Sequence, residues 1–220
     1  IRYFKTLQLI EKLISIISYL IDINQLSQAC DFTWAIINLL ICTSQNLPQT
    51  KEYTIVIRMI RLFSNFTIDQ LIPKMIECES NLMIINSIEV IIDALQQLIM
   101  CLQRAKVLYL HKKHCNKKRH SKCNLTHFLG HHCDLLGLKL THSTTNKSPI
   151  CCISSVSNIL IQILLSTTSK SIELLIIKQL NLSATCCCSK SFIMESLLEF
   201  IMKNDNLTIK KEIFKLIEHI

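Results

Sequence analysis

Gly130 and Gly137 are the two glycines in a chain of 220 residues. Both sit in or just after one basic stretch, so the rest of the chain contains none. A β-sandwich or barrel turns roughly every 8–12 residues, and glycine supplies most of the turns that need a positive φ. A doubly wound α/β fold wants glycine in its phosphate loops as well. Proline adds few breaks, at Pro48, Pro73 and Pro149. Such a chain is expected to be all-α, with helices joined by short polar turns.

Isoleucine fills 36 positions and alanine five. Isoleucine is a mediocre helix former, so propensity argues mildly for strands, and periodicity has to arbitrate. Ile84, Ile85, Ile88, Ile91, Ile92, Leu95, Leu98, Ile99 and Leu102 keep offsets of three and four, which is one face of a helix. Ile209, Ile213, Leu216, Ile217 and Ile220 repeat the pattern near the end, opposite Lys211 and Lys215. Thr67 and Gln70 have the form of a capping box, Asn81 stands before the long central stripe, and Asn206 or Thr208 is placed to cap the final helix. The spacing predicts helices over 2–21, 25–43, 50–65, 68–79, 82–110, 150–167, 171–181, 190–203 and 208–219. Connectors of a few Asn, Ser, Thr, Pro or Gln residues make consecutive helices antiparallel neighbours. Half of the residues are hydrophobic and 18% are charged, enough apolar material for a large core and too little charge for a disordered chain.

The net charge of +8 is confined to one place. Residues 104–147 hold ten lysines and arginines against a single acid, Asp134, while the remainder is close to neutral. Three regions follow: helical repeats over 1–110, a basic and largely irregular insert over 111–147, and helices over 148–220 that continue the first region. The chain begins at Ile1 and stops within a helical pattern at Ile220, as expected of a segment taken from a longer array.

Paired helices of this length and greasiness resemble an armadillo or HEAT-type α-solenoid. The closing stretch NDNLTIKKEIFKLIEHI is similar to the second helix of such a repeat, with a polar turn before an amphipathic helix. Typical armadillo repeats carry a glycine between their first helices, and this chain has none there. The resemblance implies stacked antiparallel helix pairs and a non-catalytic scaffold that binds other proteins, as a peptide or helix laid along the repeat surface.

The insert opens with HKKHCNKKRHSKCNLTHFLGHHC, residues 111–133. His120 with Cys123 and His127 with His131 could supply four zinc ligands, yet the spacing is not that of a finger, which delivers two close pairs across a fixed loop. Lys112, Lys113, Lys117, Lys118, Arg119 and Lys122 form a patch that would neutralise phosphates. Phe128 is the one aromatic among them, so base stacking has little to use. These cations keep their charge at any physiological pH, whereas histidines near pKa ~6.5 and thiols near ~8.5 must surrender protons to a metal. Polyanion binding is therefore expected ahead of zinc, and a nucleic-acid-associated factor is the alternative to the scaffold.

No glycine-rich phosphate loop, G-x-S-x-G elbow or H-E-x-x-H helix occurs, so no catalytic or cofactor residue is nominated and the chain is not expected to be an enzyme. Asp22, Asp31, Asp69, Glu77, Glu79, Glu89 and Asp93 read as solvated carboxylates at helix ends or on polar faces. Uncharged runs at 148–169 and 32–50 are interrupted by Asn158, Gln162 and Pro149, and by Asn38, Gln45, Asn46 and Pro48. Buried helices account for both runs without a membrane span. Twelve cysteines include the adjacent runs Cys151–Cys152 and Cys186–Cys188, an arrangement unlike a disulfide framework. Five Asn-x-Ser/Thr tripeptides fit chance in so Asn-rich a chain. A cytoplasmic or nuclear location follows as the expectation.

Overall fold

The computed structural model describes residues 2–45, 53–118, 152–183 and 187–219. Among them the chain is all-helical, with no strand. In order come α1 (Arg2–Asp22), α2 (Leu26–Gln45), α3 (Tyr53–Phe66), a π-helical turn (Thr67–Leu71), α4 (Ile72–Glu77) and α5 (Leu82–Lys118). After the undescribed residues follow α6 (Cys152–Ser166), α7 (Lys170–Ser183), α8 (Cys187–Lys203) and α9 (Leu207–His219).

The helix neighbours fall into two sets. α1 packs on α3, α3 on α6, and α6 on α8; α2 packs on α5, α5 on α7, and α7 on α9. Within the hairpins α1 meets α2, α6 meets α7, and α8 meets α9. The most extensive contact joins α2 to α5, where the stripe read from the sequence does the packing: Ile84, Ile88, Ile91, Ile92, Leu95, Leu98, Ile99 and Leu102 are all buried. α6 touches α3, α4, α5, α7 and α8, which explains its composition. Ile153, Val156, Ile159, Leu160, Ile161, Ile163 and Leu164 are buried on several sides of this one helix, each removing about 1.5–3 kcal/mol of apolar surface from water.

The scarcity of glycine is met in two ways. At the α1–α2 turn Asn24 takes a left-handed conformation at φ 61°, the one positive-φ residue recorded among the described residues. Its N–H donates to the Ile21 carbonyl and that of Gln25 to the Leu20 carbonyl, at 3.0 and 2.7 Å. This is a Schellman closure with asparagine in the position glycine usually fills. At the other described turns φ stays negative and side chains satisfy the backbone. Asn81 Oδ1 accepts from the Met83 N–H at 2.9 Å, and Asn206 Oδ1 from Thr208 and Ile209 N–H at 3.0 and 3.4 Å. Asn81 and Asn206 thus cap the helices the sequence assigned them.

One expected break is absent. The capping-box reading of Thr67 and Gln70 placed a helix start there, but the backbone stays helical from Phe66 to Ile72. The Thr67 hydroxyl donates back to the Phe63 carbonyl at 2.8 Å, and Gln70 Oε1 accepts from Ser18 Oγ on α1 at 2.8 Å. Pro73 supplies the reason for the π turn. Proline has no N–H for the carbonyl four residues earlier, and its ring would collide with that carbonyl in a regular helix. Widening the preceding turn, with Ile72 N–H bonding to Thr67 O, lets the rod pass the proline unbroken.

α5 runs on to Lys118, so residues 111–118 of the expected irregular insert are helical. Among the described residues two stretches are long and apolar enough to cross a membrane, Leu26–Gln45 and Leu82–Ala105. In this fold half or nearly half of each is buried against neighbouring helices, 50% and 44% respectively. Core helices packed between neighbours have the same composition.

Candidate functional site

The polar residues that pack together lie where the hairpins turn. Glu79, between α4 and α5, was read from the sequence as a solvated helix-end carboxylate, and the structure corrects this. It is 7% exposed and reaches across to the turn between α6 and α7. Thr167 Oγ1 donates to its Oε1; Thr168 donates from both N–H and Oγ1 to Oε2, each at 2.9 Å. The Ser169 N–H adds a bond to Oε1 at 3.3 Å. Burial alone would push this carboxyl up, but the bonds from Thr167, Thr168 and Ser169 outweigh it and hold the carboxyl below its ordinary value. Placed before the first turn of α7, the carboxylate also meets the positive end of that helix.

The series continues into the next hairpin. Glu173, in the first turn of α7, accepts from Asn204 Nδ2 at 3.1 Å, and Asn204 Oδ1 accepts from the Asn206 N–H at 2.8 Å. Here the balance differs. Burial, with the charge of Glu79 adding to it, pushes the Glu173 carboxyl up against the opposing pull of Asn204 and Lys170. Further along, Gln179 Nε2 donates to Asp93 Oδ1 at 3.3 Å, tying α7 to α5. Sequence spacing gave no sign of these links, whose partners stand 31 to 90 residues apart.

At the first junction the same edge holds a cavity of about 360 Å3 between the α1–α2 turn and the end of α4. Asp22, Asn24, Lys74, Glu77 and Cys78 line it, with Lys74 Nζ 2.7 Å from Glu77 Oε2. An aspartate at the C-terminal end of a helix opposes the helix dipole, at a cost of about 0.3–1 kcal/mol. The lining carries neither a nucleophile paired with a base nor a three-ligand metal set, and no group of three or more metal-binding side chains occurs among the described residues.

Of the basic residues nominated from the sequence, Lys112, Lys113, Lys117 and Lys118 lie on the last turns of α5. Arg119 and Lys122 lie outside the described residues, as do the weak zinc candidates His120, Cys123, His127 and His131. Cys30, Cys42, Cys78 and Cys101 form no disulfide among the described residues. Burial, reinforced by the neighbouring Asp31, pushes the Cys30 thiol up to about 12, and a hydrogen bond with Ser87 on α5 pulls weakly the other way. That thiol is inert at physiological pH. Large apolar side chains remain on the surface of both helix sets: Phe4, Leu9, Ile16 and Tyr19 on α1 and Leu198 and Met202 on α8, and, on the other set, Phe32 and Trp34 on α2, Val90 and Met100 on α5, Leu174 on α7, Leu207 and Phe214 on α9.

No family model matches the chain, and no solved structure does. The human lysosomal-trafficking regulator is 26% identical to it over an alignment covering 46% of this chain and 3% of that protein. The chain therefore spans a small fraction of the length of the curated relative it resembles.

Proposed function

We propose that this chain is an α-solenoid segment of the armadillo/HEAT kind, serving as a non-catalytic scaffold for other proteins. The observation that carries the reading is the order of helix neighbours: α1–α3–α6–α8 on one side and α2–α5–α7–α9 on the other, each helix touching its predecessor and successor. Stacked hairpins produce such an order, because each repeat buries its apolar face on the repeats beside it. The run of polar contacts from Glu79 through Thr167–Ser169 and Glu173 to Asn204 supports it, joining corresponding turns of successive hairpins. Residue-level complementarity to a partner is sought on the α2–α5–α7–α9 side, around Trp34, Val90, Leu174 and Phe214. The likeness to a lysosomal-trafficking regulator supports placing the scaffold among regulators of lysosomal trafficking.

Two measurements test this. Removing α8 and α9 should leave a cooperatively unfolding remainder with a smaller denaturant m-value, since a one-dimensional array loses stability by the repeat. Loss of all cooperative structure would mean one indivisible core and would end the solenoid reading. For the scaffold, Trp34→Ser with Phe214→Ser should strip specific co-purifying proteins from the intact chain at unchanged thermal stability. An unaltered set of partners would remove this side from consideration.

A further inference from the structure

We infer that α1 and α8 carry the two halves of a head-to-tail interface through which copies of this chain stack on one another. The inference rests on the solenoid reading, and it uses the helix set opposite to the one sought above for other proteins. In that set α1 packs on α3, α3 on α6, and α6 on α8. Arg58 on α3 stands 3.9 Å from Glu11 of α1, and Ser18 of α1 donates to Gln70 in the π turn at 2.8 Å. These two links fix the side of α1 that is turned to the α3 rod. At about 100° per residue, Lys5, Leu9, Lys12, Ile16 and Tyr19 fall about 90–170° round from there. All five are exposed, Tyr19 by 61%. They follow one another at steps of four, three, four and three, the seam along which one helix packs on another.

The outward side of α8 answers this stripe. Ile193, Leu197 and Phe200 are buried, on the part of α8 that joins the core. Glu195, Leu198, Glu199 and Met202 lie about 130–170° away and are exposed, Met202 by 85%. Glu195, Leu198 and Met202 again step by three and four. The charges are opposite in sign. Two lysines stand in the α1 stripe and two glutamates in the α8 stripe, where Lys203 bonds Glu199 from the edge at 2.6 Å. Two copies meeting through the same helix would set like charges together, whereas α1 of one copy on α8 of another pairs lysine with glutamate. That contact makes the second copy's α1 the next member of the series α1–α3–α6–α8, continuing the way each hairpin covers the one beside it. An anionic lipid surface would attract the α1 stripe and repel the α8 stripe. Because the two faces differ, the contact is heterologous, and each added copy presents a new face until a ring closes.

The experiment follows the full chain by sedimentation velocity over a range of concentrations. The unmodified chain should grow past the dimer as its concentration rises. Leu9→Asp with Ile16→Asp brings acids to face the α8 glutamates, and Leu198→Lys with Met202→Lys brings bases to face the α1 lysines. Each double variant alone should lose more than about tenfold in association and stay monomeric where the unmodified chain assembles. Mixed in equal amounts, the two should form a dimer and nothing larger, because each supplies the one face that the other lacks. An unmodified chain that stays monomeric or stops at the dimer would overturn the proposal, as would assembly of either variant alone or a mixture that stays monomeric. None of these outcomes alters the truncation and partner measurements above, so the scaffold reading stands or falls separately. The four positions are exposed, so both variants should keep their melting temperatures. Should one fail to fold, serine at the same positions makes the same comparison.

Discussion

At φ 61°, Asn24 occupies backbone space that costs an ordinary side chain about 1–2 kcal/mol, and asparagine tolerates it better than most. Asn24→Ala should lower stability by about that amount in urea unfolding, while Asn24→Gly leaves it nearly unchanged. The two buried glutamates behave oppositely toward acid. Glu79, held below its ordinary value, contributes stability that is present above the unfolded carboxylate pKa of ~4.3 and lost as pH falls through its lower folded value. Glu173, held above, is costly when charged, and that cost is relieved as pH falls through its raised folded value. Acidification from neutrality should first raise the melting temperature slightly and then lower it. Glu173→Gln should abolish the rise, whereas Glu79→Gln should cost about 1–3 kcal/mol at neutral pH and blunt the acid-side fall. Among the thiols, mass spectrometry of the alkylated native protein should find exposed Cys42 modified readily and Cys30 only after unfolding.

The elements themselves were largely legible. Offsets of three and four along 84–102 gave α5 its buried face, and Asn81 and Asn206 marked two helix starts, because amphipathic stripes and caps are local signals. The break drawn at 66–67 was not, since threonine can bond forward as a cap or back to the preceding turn, and Thr67 does the latter. The course of α5 past residue 110 was hidden for a different reason: residues 111–118, HKKHCNKK, carry no apolar stripe in the sequence, yet the helix runs on to Lys118. Glu79 was hidden most completely, because its partners stand 88 to 90 residues away. Helix α6 sets the scale of element-level cost. Leu160→Ala, at a fully buried position facing several neighbours, should destabilise by about 2–5 kcal/mol in chemical denaturation. Val90→Ala, 51% exposed on α5, should change stability by less than about 0.5 kcal/mol.

Among the described residues, neighbouring hairpins meet mainly through apolar side chains along their length, with single polar links such as Gln179–Asp93, and through a cluster of hydrogen bonds at the turns. The Glu79 carboxylate belongs to the second hairpin, yet the backbone it satisfies opens the second helix of the third. The third hairpin in turn holds Asn204 of the fourth through Glu173. This direction has a consequence for biosynthesis. Chains emerge from the ribosome N-terminus first, and domains take shape in that order. By the time Thr167, Thr168 and Ser169 are made, Glu79 already stands at the turn that will receive them. The later hairpin thus meets a finished template, and each addition leaves the next one ready.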